Sequence, residues 1–217
     1  MLPRLQYMDS CAISDALDFL GLPGSTNGIL PLWPCERIVG RALTVQVDNK
    51  KAAGETQHMI TPAVEKADSD TVLVIANAGD KSISCWGGII AHAAIIKGIR
   101  GVVIDGAGRD LDENRELRFP VFGRSAVHVS ARNRLVQTDF DCDVEFAGVK
   151  VSSGDYVVAD ASGTVFIGQD RIADVLDIAE RVKKREAAMI EAVRSGRSVV
   201  EVMHDRQFAK IMERGGE

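Results

Sequence analysis

Along the chain, short continuous apolar runs alternate with stretches whose apolar residues recur at helical spacing. The clearest unit lies near the middle. TVLVIANA, residues 71–78, is an unbroken apolar run and reads as a buried strand. GGIIAHAAIIKG, residues 87–98, reads as a helix stopped by Gly98. GVVIDG, residues 101–106, is a second buried strand. Strand, helix and strand at this spacing predict a βαβ unit with parallel strands.

Upstream, DSCAISDALDFL, residues 9–20, predicts an amphipathic helix with Asp9 or Ser10 as N-cap. GLPGSTNGILPLWP reads as a loop. RALTVQVD, residues 41–48, alternates and is rich in β-branched residues, so it predicts a strand. Residues 55–67 predict a helix with Pro62 inside it. Downstream, PVFGR, AVHVS, DVEFAG, VKVSSGDYVVADAS and GTVFIG are short runs punctuated by Gly, Asp and Ser. They predict an antiparallel or mixed layer of short strands.

Residues 170–194 then read as one long helix, with apolar positions at Ile172, Val175, Leu176, Ile178, Ala179 and Val182. SVVEVMHDRQFAKIMER, after Gly196, predicts a last helix. No internal repeat, low-complexity linker or domain boundary is visible. The expectation is one α/β domain over residues 1–217, with a βαβ unit and C-terminal helices.

Composition narrows the function classes. The 217 residues are 46% hydrophobic and 26% charged, as in ordinary globular proteins. A formal net charge of -5 gives no basic field for nucleic acid or an anionic membrane surface. The N-terminus lacks the apolar core of a secretory signal, and no run approaches the ~18 apolar residues of a membrane span. Cys11, Cys35, Cys85 and Cys142 show no CxxC spacing, which points to reduced thiols in a cytoplasmic protein.

The most suggestive chemistry follows the second buried strand. Gly106-Ala107-Gly108 leads directly into Arg109, Asp110, Asp112 and Glu113. In open parallel sheets, ligands bind outside the carboxyl ends of the strands. The preceding strand should end on the same edge, where a helix starting near Gly87 offers free N–H groups to an anion such as a carboxylate. Arg109 could grip that anion or polarise a carbonyl. Asp110 and a neighbouring acid supply the hard oxygens that a magnesium-like ion requires. The competing reading is an Arg–carboxylate network that stabilises a surface loop, with Asp110 capping a turn.

Other candidates are weaker. GAG in DGAGRD is not GxGxxG and opens no helix, which argues against a dinucleotide fingerprint. His58, His92, His128 and His204 lack ligand spacing, and mid-helix His92 reads as packed or surface-satisfied. Lys50 and Lys51 could host a Schiff base, but adjacent lysines after a strand suit a solvated turn. For Asp155 and Asp160, turn and cap roles suffice.

At this point the residues resemble a known family, the class II pyruvate aldolases of the 4-hydroxy-4-methyl-2-oxoglutarate aldolase type. That superfamily also contains the regulator of ribonuclease activity A. The pattern is a glycine, 20 residues, Arg-Asp, two residues and an acid, here Gly88, Arg109-Asp110, Leu111-Asp112 and Glu113. SDAL at Ser14, GILP at Gly28, GRALTV at Gly40, FPVF at Phe119 and SGDYVVADASG at Ser153 look like family segments in family order.

The resemblance implies a layered β/β/α fold and a homotrimer, sometimes paired into a hexamer, with sites at subunit interfaces. It implies Asp110 as a ligand of Mg2+ or Mn2+, with Glu113 holding metal-bound water. Arg109 would contact the oxygen of a small 2-keto acid substrate. The backbone of Gly87, Gly88, Ile89 and Ile90 would bind its carboxylate. The implied activity is cleavage of a 4-hydroxy-2-keto acid to pyruvate, with decarboxylation of oxaloacetate through the same enolate. The alternative is a non-catalytic binding protein resembling the ribonuclease regulator. That type typically lacks the acid at position 113, so Glu113 favours the enzyme. One departure stands out: many members carry Asp or Glu where this chain has Gly88. A methyltransferase, another label in the superfamily, is set aside because no Gly-rich cofactor loop is visible.

Overall fold

The computed structural model describes residues 1–50 and 58–204. The helices are α1 (Leu2–Leu5), α2 (Ser10–Leu20), α3 (Thr61–Lys66), α4 (Gly88–Lys97), α5 (Leu111–Glu116), α6 (Ile172–Arg194) and α7 (Val199–Val202). The first strands are β1 (Leu30–Pro31), β2 (Ile38–Asn49), β3 (Thr71–Ser84), β4 (Gly101–Gly108), β5 (Val121–Gly123) and β6 (Ser125–Ala126). Those that follow are β7 (Leu135–Phe140), β8 (Val144–Phe146), β9 (Val149–Val151), β10 (Tyr156–Asp160) and β11 (Gly163–Ile167).

Among the described residues nine strands form one mixed sheet with the path β1-β5-β4-β3-β2-β10-β11. β6 lies beside β4, and β7 beside β2. The centre is parallel: β2 with β3, β3 with β4, and β4 with β5. The βαβ unit β3-α4-β4 is therefore as expected. β10 and β11 extend the sheet antiparallel on one side, and β1 on the other. The segment before β1 also reaches the far edge, where Ser25 bridges Val165 and the Phe166 N–H donates to Gly24 O at 2.9 Å. One stretch of chain thus spans both edges and leaves the sheet nearly closed.

Both faces of the central strands are covered, which explains why β4 is buried at every position and reads as a continuous apolar run. Leu73, Ile75, Val102 and Ile104 pack under Ile90, Ala91 and Ala94 of α4. Val72, Val74 and Val103 pack on the opposite face against the β8–β9 hairpin through Val144, Phe146 and Val151. Hairpin, sheet and helices form the β/β/α layering. A third cluster joins α2 and α6 to β10 and β11. The buried positions of α6 are Ile172, Val175, Leu176, Ile178, Ala179 and Val182, the face its periodicity predicts. Asp9 is the N-cap of α2, and its carboxylate accepts from the Ala12 N–H at 2.8 Å.

Several expectations change. Pro62 does not sit inside a helix but in the first turn of α3, where its missing N–H costs nothing; residues 55–57 of that predicted helix lie outside the described residues. The last helix spans only Val199–Val202, and residues 205–214 of the expected helix likewise lie outside them. The AVHVS run supplies only Ala126 to β6, plus an isolated bridge at Ser130. β3 runs on to Ser84, with register shifts after Ala76 and Asp80, where the sequence suggested a loop. DGAGRD does lead into a helix, the short α5. Among the described residues no helix is long and apolar enough to cross a membrane.

Candidate active site

The ends of β3 and β4 are tied together before any side chain is considered. The Cys85 N–H donates to Ala107 O at 2.8 Å, and the Arg109 N–H donates to Trp86 O at 3.1 Å. These bonds hold the loop entering α4 against the turn entering α5. Gly87 is the N-cap of α4 and offers no side-chain cap. The cap comes from the other loop: Asp110 Oδ2 accepts from the Gly88 N–H at 2.8 Å. A carboxylate at a helix N-terminus satisfies one orphan donor and meets the positive end of the dipole. The Ile89 and Ile90 amides, in the same first turn, have no acceptor among the described residues.

Asp110 itself is held in the left-handed region, at φ 56° and ψ 41°. For a non-glycine residue that conformation costs of order 1 kcal/mol and persists only where the surroundings impose it. Asn114 imposes it. Its side chain is fully buried, and its Nδ2 donates to Asp110 O at 2.7 Å. Its Oδ1 accepts from Trp86 Nε1 at 3.1 Å. Trp86 in turn stacks on Phe119 with ring centroids 5.3 Å apart. Asn114 and Trp86 were not anticipated as site residues. The available signal was an amide at i+4 from Asp110, and its partner is distant in sequence.

Arg109 Nε lies 3.4 Å from Asp110 Oδ2. Glu113 folds across the start of α4. A Cβ on Gly88 would stand 1.6 Å from Glu113 Oε2, and one on Gly87 would stand 2.8 Å from Asp110 Oδ2. At both glycines the nearest atom met is a carboxylate oxygen, so the bare α-carbons are what let Glu113 and Asp110 lie this close to the start of α4. His92, four residues into α4, meets Glu113 Oε1 through Nε2 at 3.1 Å. It is half-exposed and paired with this carboxylate, a contact that its position in the sequence did not suggest.

Arg109, Asp110, Glu113 and the Gly87–Ile90 segment line one cavity of about 670 Å³. Lys50 and His58 also face it, while His128 and His204 do not. Lys51 lies outside the described residues. Asp112 turns away and pairs with Arg115 on the surface of α5. Cys85 lines the cavity too, but burial, helped by the charge of Asp80, pushes its thiol up to about 12. At neutral pH it stays protonated and is no nucleophile. Asp155 and Asp160 hold structural bonds, to the Ser152 N–H and to the Ser10 N–H and hydroxyl respectively.

Carboxylate oxygens are the kind of ligand a hard divalent ion takes. Asp110 and Glu113 bring carboxylate oxygens to the same cavity, and no group of three or more His, Cys, Asp and Glu gathers among the described residues.

Comparison with known proteins places the chain in a family. It is 31% identical over 204 residues to a Halalkalibacterium halodurans protein named "Putative 4-hydroxy-4-methyl-2-oxoglutarate aldolase", covering 92% of this chain and 93% of that one. It is 30% identical over 205 residues to Protein DlpA of Legionella pneumophila, covering 94% of this chain but only 33% of DlpA, so it spans about a third of that relative's length. The crystal structure of an uncharacterized protein from Pseudomonas syringae pv. tomato superposes with a TM-score of 0.84 at 33% identity, covering 93% of this chain and 95% of that one. The RraA-like family model, described as aldolase/RraA, matches residues 10–166. The chain belongs to the RraA-like aldolase/RraA family.

Proposed function

We propose that the chain is a divalent-metal-dependent lyase that cleaves a 4-hydroxy-2-keto acid to pyruvate, and that the same site decarboxylates oxaloacetate. The observation that carries this reading is the convergence of Arg109, Asp110, Glu113 and the α4 N-terminus on one cavity. The putative-aldolase name of a relative 31% identical to the chain supports it.

Asp110 and Glu113 would hold Mg2+ or Mn2+, which when bound supplies Lewis-acid withdrawal of charge from the keto acid. The free amides of Ile89 and Ile90 and the dipole of α4 receive the substrate carboxylate. Arg109, beside Asp110, donates to the keto oxygen. Cleavage breaks the C3–C4 bond, leaves its electron pair on a pyruvate enolate and turns the hydroxyl-bearing carbon into a carbonyl. The hydroxyl proton passes to solvent in the cavity, and another proton completes pyruvate. Negative charge grows on the oxygen that Arg109 contacts, so this side chain binds the transition state more tightly than the substrate. Loss of CO2 from oxaloacetate leaves the same enolate and draws on the same groups. The proposal includes a cytoplasmic homotrimer or hexamer.

A second reading is a non-catalytic binding protein, as the family's other name allows. The observation that favours it is an apolar stripe on α4 beside the cavity, where Ile89 is 90% and Ile96 84% exposed. Pyruvate release after chelation and metal restoration separates the two readings, since a binding protein releases none.

A further inference from the structure

Cleavage of a 4-hydroxy-2-keto acid begins with loss of the C4 hydroxyl proton, so the cavity must supply a base. Besides arginines, the titratable side chains that line it are Lys50, His58, Cys85, Asp110 and Glu113. Four of these are committed or unsuited. Asp110 accepts from the Gly88 N–H and lies against Arg109. Glu113 Oε1 is paired with His92. The Cys85 thiol stays protonated at neutral pH, and Lys50 offers donors and no acceptor.

His58 differs in the state of its ring. Its Nδ1 lies 2.7 Å from Met59 O. A carbonyl oxygen only accepts, so Nδ1 carries a hydrogen and donates it. In the neutral ring the lone pair then sits on Nε2, which has no hydrogen-bond partner among the described residues. The ring is set as a proton acceptor before substrate arrives.

The backbone holds it there. Thr61 Oγ1 donates to His58 O at 2.7 Å, and the Ile60 N–H donates to Gln137 Oε1 of β7 at 2.8 Å. Ile60 is the N-cap of α3 in the left-handed conformation, φ 76°, so the chain turns sharply between His58 and that helix. Met59 and Ile60 are buried. The carbonyl that fixes the tautomer thus belongs to an anchored segment, while His58 itself is exposed.

Resting on the lyase reading, we propose that His58 is the general base of the cleavage. Nε2 takes the C4 hydroxyl proton, directly or through the cavity's solvent. The O–H electron pair becomes the π bond of the new carbonyl, and the C3–C4 pair passes to the pyruvate enolate. The imidazolium so formed returns its proton to solvent, and a solvent proton completes pyruvate. Decarboxylation of oxaloacetate starts from a carboxylate that is already ionised, so it needs no such base.

The two reactions therefore control for each other. His58→Ala is expected to lower kcat for 4-hydroxy-4-methyl-2-oxoglutarate about a hundredfold to ten-thousandfold and to leave oxaloacetate decarboxylation within about threefold. Added imidazole should restore part of the lost cleavage in proportion to its concentration. His58→Asn keeps a donor near the Nδ1 position for Met59 O and has no Nε2, so it should be as slow as His58→Ala. Unchanged cleavage in His58→Ala, an equal loss in both reactions, or wild-type cleavage by His58→Asn overturns the assignment. So does a wild type that decarboxylates oxaloacetate and cleaves no hydroxy acid. A wild type that releases pyruvate from neither overturns the lyase reading, and this assignment with it. Nitrogen NMR of the His58 ring needs no turnover: hydrogen on Nδ1 of the neutral ring is expected, and hydrogen on Nε2 overturns the role of His58.

Discussion

Gly88 and Glu113 share one volume: a Cβ on Gly88 would stand 1.6 Å from Glu113 Oε2. The bare α-carbon lets the Glu113 carboxylate lie over the first turn of α4 and reach His92. Gly88→Ala would displace a flexible, half-exposed carboxylate, which is mechanically easy, and would replace a helical glycine by the best helix former. The expected result is a melting temperature unchanged or slightly raised, with kcat/KM reduced about tenfold or more as Glu113 leaves the cavity. In a Glu113→Ala background the same change should cost almost nothing further, because the two effects share one cause. Kinetics and melting curves of the four-variant cycle check this; additive losses would contradict it.

Arg109→Ala should leave the fold intact and lower kcat about a hundredfold to a thousandfold, the scale of losing one donor to a developing oxyanion. Arg109 is more than a third exposed and its ion pair with Asp110 is adjacent in sequence, so little stability depends on it. Circular dichroism and steady-state kinetics on the same preparation separate the two effects.

Asn114→Ala should do the reverse of a surface change. It removes the partner of Trp86 Nε1 and one of two donors to Asp110 O, the backbone N–H of residue 114 remaining in place. The expected destabilisation is about 1–3 kcal/mol, read from denaturant unfolding, together with loss of activity as Asp110 relaxes from its left-handed conformation. Asn114→Asp keeps the acceptor for Trp86 and loses the donor to Asp110, so it should retain part of the stability and little activity.

The Asp9–Lys183 pair, which joins α2 to α6, gives a pH dependence with a defined sign. Burial alone would raise the Asp9 carboxyl, but Lys183 and the Ala12 N–H outweigh it and hold Asp9 below the usual carboxylate range. Asp9 raises the Lys183 ammonium in turn. A depressed acid contributes stability above its unfolded pKa and loses it as pH falls through the folded one; a raised base contributes below its unfolded pKa and loses it as pH rises. The pair is thus fully effective between about pH 5 and pH 10 and fades on either side. Asp9→Asn keeps the helix cap and removes the charge. It should lower stability at pH 7 by no more than about 1 kcal/mol and flatten the decline between about pH 5 and pH 3.

Much of this fold was legible in the sequence because burial imposes simple patterns. β3 and β4 are covered on both faces and read as unbroken apolar runs, and α6 buries the residues its period marks. The Arg109–Asp110–Glu113 cluster was legible as a charged group on one cavity, because charged residues directly after a buried strand stand out. Short-range rules failed where the outcome is long-range. Pro62 opens α3 instead of interrupting a helix, and β3 continues through bulges to Ser84, beside the turn at Ser130. The bond from Asn114 to Trp86 joins residues 28 apart, and no local pattern announces it. His92 reads as packed or surface-satisfied, and the second holds: it is half-exposed and paired with Glu113, which arrives from another element and which no local pattern names.

The most direct measurement is pyruvate release from 4-hydroxy-4-methyl-2-oxoglutarate and from oxaloacetate, after chelator treatment and with magnesium or manganese restored, for the wild type and for Asp110→Ala. The account predicts metal-dependent pyruvate from the wild type and almost none from Asp110→Ala at any metal concentration. Turnover that survives chelation, or an Asp110→Ala variant with unchanged rate and metal affinity, would contradict the role given to Asp110 and the account of the site with it.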